Sequence, residues 1–136
     1  HIPDIWEKVK TLEEIPGVGK KLSMTLVLEL PELGHISNKE ISALVGLAPI
    51  TRESGNFKGK KSIFGGRKGV RCALYMPIIS AITHNLVIKA FYQKLISKGK
   101  LHKVAITASM RKFLVIINSI IRNNSKWDSN YIPLCS

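Results

Sequence analysis

One stretch constrains the fold more than any other: "HKVAITASMRKFLVIINSIIRNN", residues 102–124. Its spacing is helical, and it reads as the last and longest helix of the chain. The second half, "FLVIINSII", is apolar on nearly every side, whereas a surface helix shows one apolar stripe. Such a segment is either the core helix, with the others packed about it, or part of a surface that meets a second protomer. The chain has 136 residues and a hydrophobic fraction of 45%, which suits one compact domain with a single core.

The elements before it also read as mostly helical. Residues 4–14 form a short helix, and "IPGVGKK" is a Gly-punctuated turn leading into a second helix over residues 20–30, which Pro31 stops. "SNKE", Ser37 to Glu40, is a capping box: Ser37 accepts from a backbone N–H and Glu40 reaches back. The helix it opens ends near Gly46. Pro49 to Gly69 has the composition of a β-hairpin or ordered loop, with "PITRE" and "KKSIF" as candidate strands. From Val70 the pattern is helical again, and Pro77 is expected to kink or split that helix. "LVIKAFYQKLISKG" follows, with Ala90, Phe91, Leu95 and Ile96 on one side and Gly99 as its stop. The expected fold class is therefore mostly α: a helix-hairpin-helix followed by a helical bundle with one small β-hairpin. The domain is expected over residues 1–126, with 127–136 a loose tail unless Trp127 and Tyr131 dock.

Lysine and arginine number 21 against 9 acids, a net charge of +12. At this size that excess points to a polyanionic partner, nucleic acid before an anionic membrane. A membrane partner is not expected, because the purely apolar runs are far shorter than the roughly 20 residues of a spanning helix. The N-terminus has no apolar signal-peptide core. Cys72 and Cys135 lie far apart, and His1, His35, His84 and His102 are scattered. Zinc and a disulfide framework are both disfavoured, and a reducing, cytoplasmic location fits.

Two constellations could carry function. The first is "IPGVGKK", Ile15 to Lys21, with the small Ser23 four residues after the second glycine. It resembles the helix-hairpin-helix motif. Gly17 and Gly19 are expected to take backbone angles closed to other residues, so that two helices meet through a tight turn. The N–H groups that open the second helix then face outward and can donate to a phosphate, with Lys20 and Lys21 adding charge. A plain turn between packed helices is the bland alternative. Contact of this kind would give affinity rather than sequence reading.

The second is "TRESGNFKGKKSIFGGRKGVR", Thr51 to Arg71, with five glycines and seven lysines or arginines. Lys58, Lys60, Lys61, Arg67, Lys68 and Arg71 place six cations within fourteen residues, a density that repels itself without a polyanion. Phe57 and Phe64 could stack on bases, although core anchoring suits at least one of them. On composition alone, Ser54 in "ESGN" is turn chemistry, since no histidine or aspartate adjoins it in sequence to activate it. Nearby cations could still lower the hydroxyl's pKa and stabilise a pentavalent phosphate.

Taken in order, "IPGVG", "LVGLAP", the R-x-S-G of Arg52 to Gly55, "GGRKGVRCALY", "AFYQKL-x-x-KGK" and "K-V-A-x-x-A-x-x-R-K" cover about residues 11–123. This series resembles the C-terminal transposase domain of the IS-one-ten (Piv/MooV) insertion-sequence family. The resemblance implies a DNA transposase or recombinase whose members join an N-terminal RuvC-like domain, with metal-binding acids, to this C-terminal domain. It implies that Ser54, as the serine of the S-G motif, is the nucleophile that becomes linked to a DNA phosphate. It also implies a structured guide RNA and a homo-oligomer of the full-length protein. Arg52, Lys60 and Arg67 are expected as phosphate partners by charge and proximity rather than by family correspondence.

The sequence departs from that family in one respect: it has no RuvC-like portion. Its nine acids are spread out, and no Asp/Glu set suggests two-metal phosphoryl transfer. No metal or other cofactor is expected in this chain, and Mg2+ only in the RuvC-like domain. The chain reads as an excised domain or the product of a truncated gene, expected to bind DNA or RNA without completing recombination alone. Two other readings stand beside the catalytic one: a noncatalytic helix-hairpin-helix module that binds nucleic-acid backbone, and an assembly domain that pairs through the "FLVIINSII" face.

Overall fold

The computed structural model describes residues 2–47, 67–125 and 127. Six helices account for about three-quarters of them: α1 Ile2–Glu13, α2 Lys20–Glu29, α3 Asn38–Val45, α4 Lys68–His84, α5 Leu86–Ser97 and α6 His102–Asn123. Among the described residues there is no strand. The mostly α class holds, and the expected β-hairpin falls on residues 49–66, outside the described residues.

The apolar helix is the core helix. Along α6, Ala105, Ile106, Met110, Phe113, Leu114, Ile117 and Ile120 are all buried. They pack against α3, α4 and α5, each of which borders α6. The core reading of "FLVIINSII" holds: Phe113, Leu114 and Ile117 are fully enclosed by their own chain. By length and composition α6 could also cross a membrane, but half of its most apolar window is buried within the protein, and core packing accounts for that apolarity. On the α4 side the partners recur at helical spacing, Val70, Leu74, Ile78 and Ala81, all fully buried. The α1–α2 pair docks onto this body through α2 against α4, contributing Leu12, Ile15, Val18, Leu22 and Leu26 to the same core.

Most helix ends match their sequence signals. The Ser37 hydroxyl accepts from the Glu40 N–H (3.1 Å) and the Glu40 carboxylate accepts from the Ser37 N–H (3.0 Å), closing the expected capping box. The Glu40 carboxyl is held below its ordinary value chiefly by that backbone bond. Gly46 ends α3 and Gly99 follows α5, both as expected.

Three expectations need correction. Pro77 does not split its helix: α4 runs unbroken from Lys68 to His84, with buried Leu74 and Ile78 holding both sides of the proline to the core. The break comes at Asn85, where α5 turns away by 90°. The Asn85 carboxamide oxygen accepts from the N–H groups of Val87 (3.1 Å) and Ile88 (3.3 Å), capping α5. On α5 itself the buried residues are Val87 and Ile88, whereas Ala90 and Ile96 are exposed; the right-angle turn brings only the first turn of α5 fully against the core. Finally, α4 begins at Lys68 rather than Val70, because Arg67 already anchors the helix entrance. Trp127 docks edge-on against Phe113, with centroids 6.2 Å apart, so the packed body reaches that residue.

Long polar links lock the layers together. Fully buried Asn118 of α6 accepts from the Gly34 N–H at 2.6 Å and donates to the Ile36 carbonyl (3.1 Å) and the Asn38 side chain (2.9 Å). Gly34 has φ +87°, and a Cβ there would collide with Ile121. The loop between α2 and α3 is thus drawn tightly onto α6.

Candidate nucleic-acid interface

The turn between α1 and α2 is built on Gly17. Its φ of +97° lies in the left-handed region, and a Cβ would stand 3.2 Å from the Cβ of Ala81, so conformation and close approach both select glycine. The Asn85 side chain donates to the Pro16 carbonyl at 2.8 Å, tying the turn to the α4–α5 corner. Gly19 differs from expectation. At φ −91°, ψ −179° it is extended, a conformation open to any residue, and nothing lies within 4 Å of where its Cβ would be. What Gly19 leaves is open space at the N-terminus of α2, which carries no side-chain cap. The first N–H groups of α2 have no intrahelical partner, and Lys20 and Lys21 beside them are exposed. Ser23 is fully buried, its hydroxyl donating to the Gly19 carbonyl at 2.9 Å.

The second constellation is seen from its base. The described chain leaves after Leu47 and resumes at Arg67, and the Arg67 N–H donates to the Leu44 carbonyl at 2.8 Å. The entry to and exit from residues 48–66 are therefore joined at one place. Arg52, Ser54, Lys58, Lys60 and Lys61, with Phe57 and Phe64, lie outside the described residues. Arg67 makes a two-pronged ion pair with Glu32 (2.6 and 2.8 Å) and also donates to the Glu29 carbonyl at 3.0 Å. These bonds hold the Glu32 carboxyl below its ordinary value and raise the Arg67 guanidinium. Arg67 is thus a strut that fixes the loop's exit to the end of α2. Arg71 is half-buried and donates to the Val45 carbonyl at 3.3 Å, bracing the entrance. Lys68, between them, is exposed.

Beside this base lies a cleft of about 430 Å³ lined by Gly46, Leu47, Arg71, Cys72, Tyr75, Thr107 and Met110. It joins the end of α3, the face of α4 and the first turns of α6. Among the described residues, no three His, Cys, Asp or Glu side chains gather to hold a metal ion.

The glycine turn and the described base of the second constellation sit at opposite ends of one antiparallel pair. The α1–α2 turn meets α4 at Ala81, and the end of α2 meets α4 near Gly69. Twelve residues of helix separate those contacts, about 18 Å at 1.5 Å per residue. That separation was not legible in the spacing of the motifs. A further signal is plain in the sequence once the fold is known: residues 54–127 contain fifteen lysines and arginines and no acid. All described acids therefore lie on α1–α3 and their connections, while α4–α6 and their connections carry only positive charge.

The chain is 34% identical over 130 residues to a pilin gene-inverting protein of Moraxella bovis and, at the same identity and length, to one of Moraxella lacunata. Each match covers 93% of this chain and 40% of the relative, so the chain spans well under half the length of these proteins. The description of the Transposase IS116/IS110/IS902 family fits residues 9–93, a stretch that takes in the glycine turn, the tethered segment and the face of α4. The chain is a member of that transposase family.

Proposed function

We propose that this chain is the serine-bearing DNA-recombination domain of a transposase, in which Ser54 attacks a DNA phosphodiester. The observation that carries the reading is the joined base of the Ser54 segment. Arg67 N–H to Leu44 carbonyl fixes where the segment departs and returns, and Arg67, Lys68 and Arg71 stand at that junction. Family membership and the +12 charge support it.

In the proposed step the Ser54 oxygen forms a bond to phosphorus as the bond to one deoxyribose oxygen breaks. The serine proton leaves to solvent or a nearby base, and the departing sugar oxygen takes up a proton. A hydroxyl from another strand end then attacks the phosphoserine ester, restoring the serine and joining the new strand. The cations of the segment, Arg52, Lys58, Lys60 and Lys61, offset charge on the pentavalent phosphate. Gly17, Gly19, Lys20 and Lys21 hold backbone phosphate at the other end of the α2–α4 pair. Metal-dependent chemistry is assigned in this proposal to a RuvC-like partner domain, without which the chain is inactive in strand transfer. A guide RNA, a homo-oligomeric full-length protein and a cytoplasmic location complete the proposal.

The test is Ser54→Ala in a protein that joins this chain to its RuvC-like portion. Loss of strand transfer with DNA binding retained supports the reading. Unchanged recombination leaves the second reading, a noncatalytic backbone-binding module, which the open N-terminus of α2 at Gly19 favours.

A further inference from the structure

We infer that the α5–α6 corner is a separate binding surface for the sugar–phosphate backbone of a nucleic-acid duplex, made by Lys94, Lys98, Lys100 and Lys103. This goes beyond the serine segment and the glycine turn, though it rests on the reading that the chain handles nucleic acid. All four lysines are exposed. Lys94 and Lys98 are one helical turn apart, a spacing at which like charges repel; Lys100 lies in the connection and Lys103 in the first turn of α6. No described residue from 67 onward is an acid, so no carboxylate on α4, α5 or α6 offsets them.

The corner is built rather than loose. The Gly99 N–H donates to the Ile96 carbonyl (3.0 Å) and the Lys100 N–H to the Leu95 carbonyl (3.1 Å), closing the end of α5. Tyr92 of α5 and His102 at the start of α6 share a hydrogen bond of 2.5 Å, with their rings edge to face. This cross-link fixes the angle at which the lysines are presented.

The corner is also continuous with the site already described. The Thr107 hydroxyl donates to the Lys103 carbonyl at 3.1 Å, and Thr107 lines the cleft with Arg71 and Tyr75. Lys103 therefore stands one helical turn, about 5–6 Å, beyond that cleft. A duplex whose backbone lies along that cleft can continue to the lysine corner.

The experiment uses the full chain and two double variants, Lys94→Gln with Lys98→Gln and Lys100→Gln with Lys103→Gln. The control is Lys8→Gln with Lys10→Gln on α1, which removes the same charge among acids. Fluorescence anisotropy measures binding to a random-sequence DNA duplex and, in parallel, to an RNA duplex of equal length, across a salt series. Thermal melts confirm that each variant folds. The inference predicts that each corner variant flattens the plot of log K against log salt by roughly 1–2 units, about 0.9 for each lost phosphate contact, while the control changes it less. Whichever duplex suffers the loss identifies the source. Slopes that match the control on both duplexes overturn the inference alone. A wild-type chain that binds neither duplex overturns it together with the proposed function.

Discussion

Gly17 and Gly19 look alike in sequence, and the structure predicts opposite consequences for replacing them. Gly17→Ala forces a side chain into φ +97° and sets its Cβ 3.2 Å from that of Ala81. The left-handed conformation costs about 1–2 kcal/mol for an L-residue, and Ala81 belongs to the buried face of α4, where it has little room to give. The entropy that alanine removes from the unfolded chain returns about 0.4–1 kcal/mol. The net is a loss of roughly 1 kcal/mol, or about 2–5 °C in Tm for a domain of this size. Gly19→Ser meets nothing within 4 Å and an extended backbone. It also supplies the N-cap that α2 lacks, worth a few tenths of a kcal/mol over glycine, so Tm holds or rises slightly. The new hydroxyl occupies the space and the N–H groups proposed for phosphate, so DNA affinity falls. Thermal melts and anisotropy with labelled duplex DNA measure both variants. A Gly19→Ser protein that binds DNA as the wild type does would refute the phosphate seat. A Gly17→Ala protein with unchanged Tm would refute the account of the turn.

Asn85→Ala removes the cap of α5 and strands the Pro16 carbonyl, costing about 2–4 kcal/mol in total; Asn85→Ser restores only the cap, so chemical denaturation should place it about 1 kcal/mol above alanine. Ser109 is fully buried with no hydrogen-bond partner for its hydroxyl among the described residues, so Ser109→Ala should leave stability equal or higher by up to about 1 kcal/mol, and a clear drop in denaturation midpoint would contradict that. Glu32 has a folded-state pKa below its unfolded value because of Arg67, so its contribution is present above the unfolded value and disappears as pH falls through the folded one. Melts of wild type and Glu32→Gln should accordingly differ at neutral pH and converge on the acid side of the carboxylate range.

The legible parts of the fold were those governed by neighbours in sequence. Ser37 and Glu40 announce their own capping box, and Pro31, Gly46 and Gly99 end helices where the chain alone says they should. The all-round apolar character of α6 required enclosure, though only the packed fold could choose between core and protomer contact. What stayed hidden depends on partners far along the chain. Arg67 reads as a free cation until Glu32, thirty-five residues earlier, takes both of its prongs. Pro77 is the obvious breaker, yet the core grips both sides of it, and the turn falls at Asn85, whose side chain is needed by Pro16. The lysine corner went unread because each lysine alone is an ordinary surface residue; its meaning comes from the absence of acids on every helix around it.

The central claim is that the hydroxyl of Ser54 becomes joined to a DNA phosphate. Trypsin cleaving after Arg52 and Lys58 releases Glu53–Lys58, "ESGNFK", in which Ser54 is the only hydroxyl side chain. The most direct measurement is mass spectrometry of that peptide after the chain, joined to its RuvC-like portion, has reacted with a nicked DNA substrate that traps the intermediate. The account predicts a nucleotide mass on this peptide that vanishes in Ser54→Ala. Strand transfer that proceeds with Glu53–Lys58 unmodified, or with the nucleotide on another peptide, would contradict it.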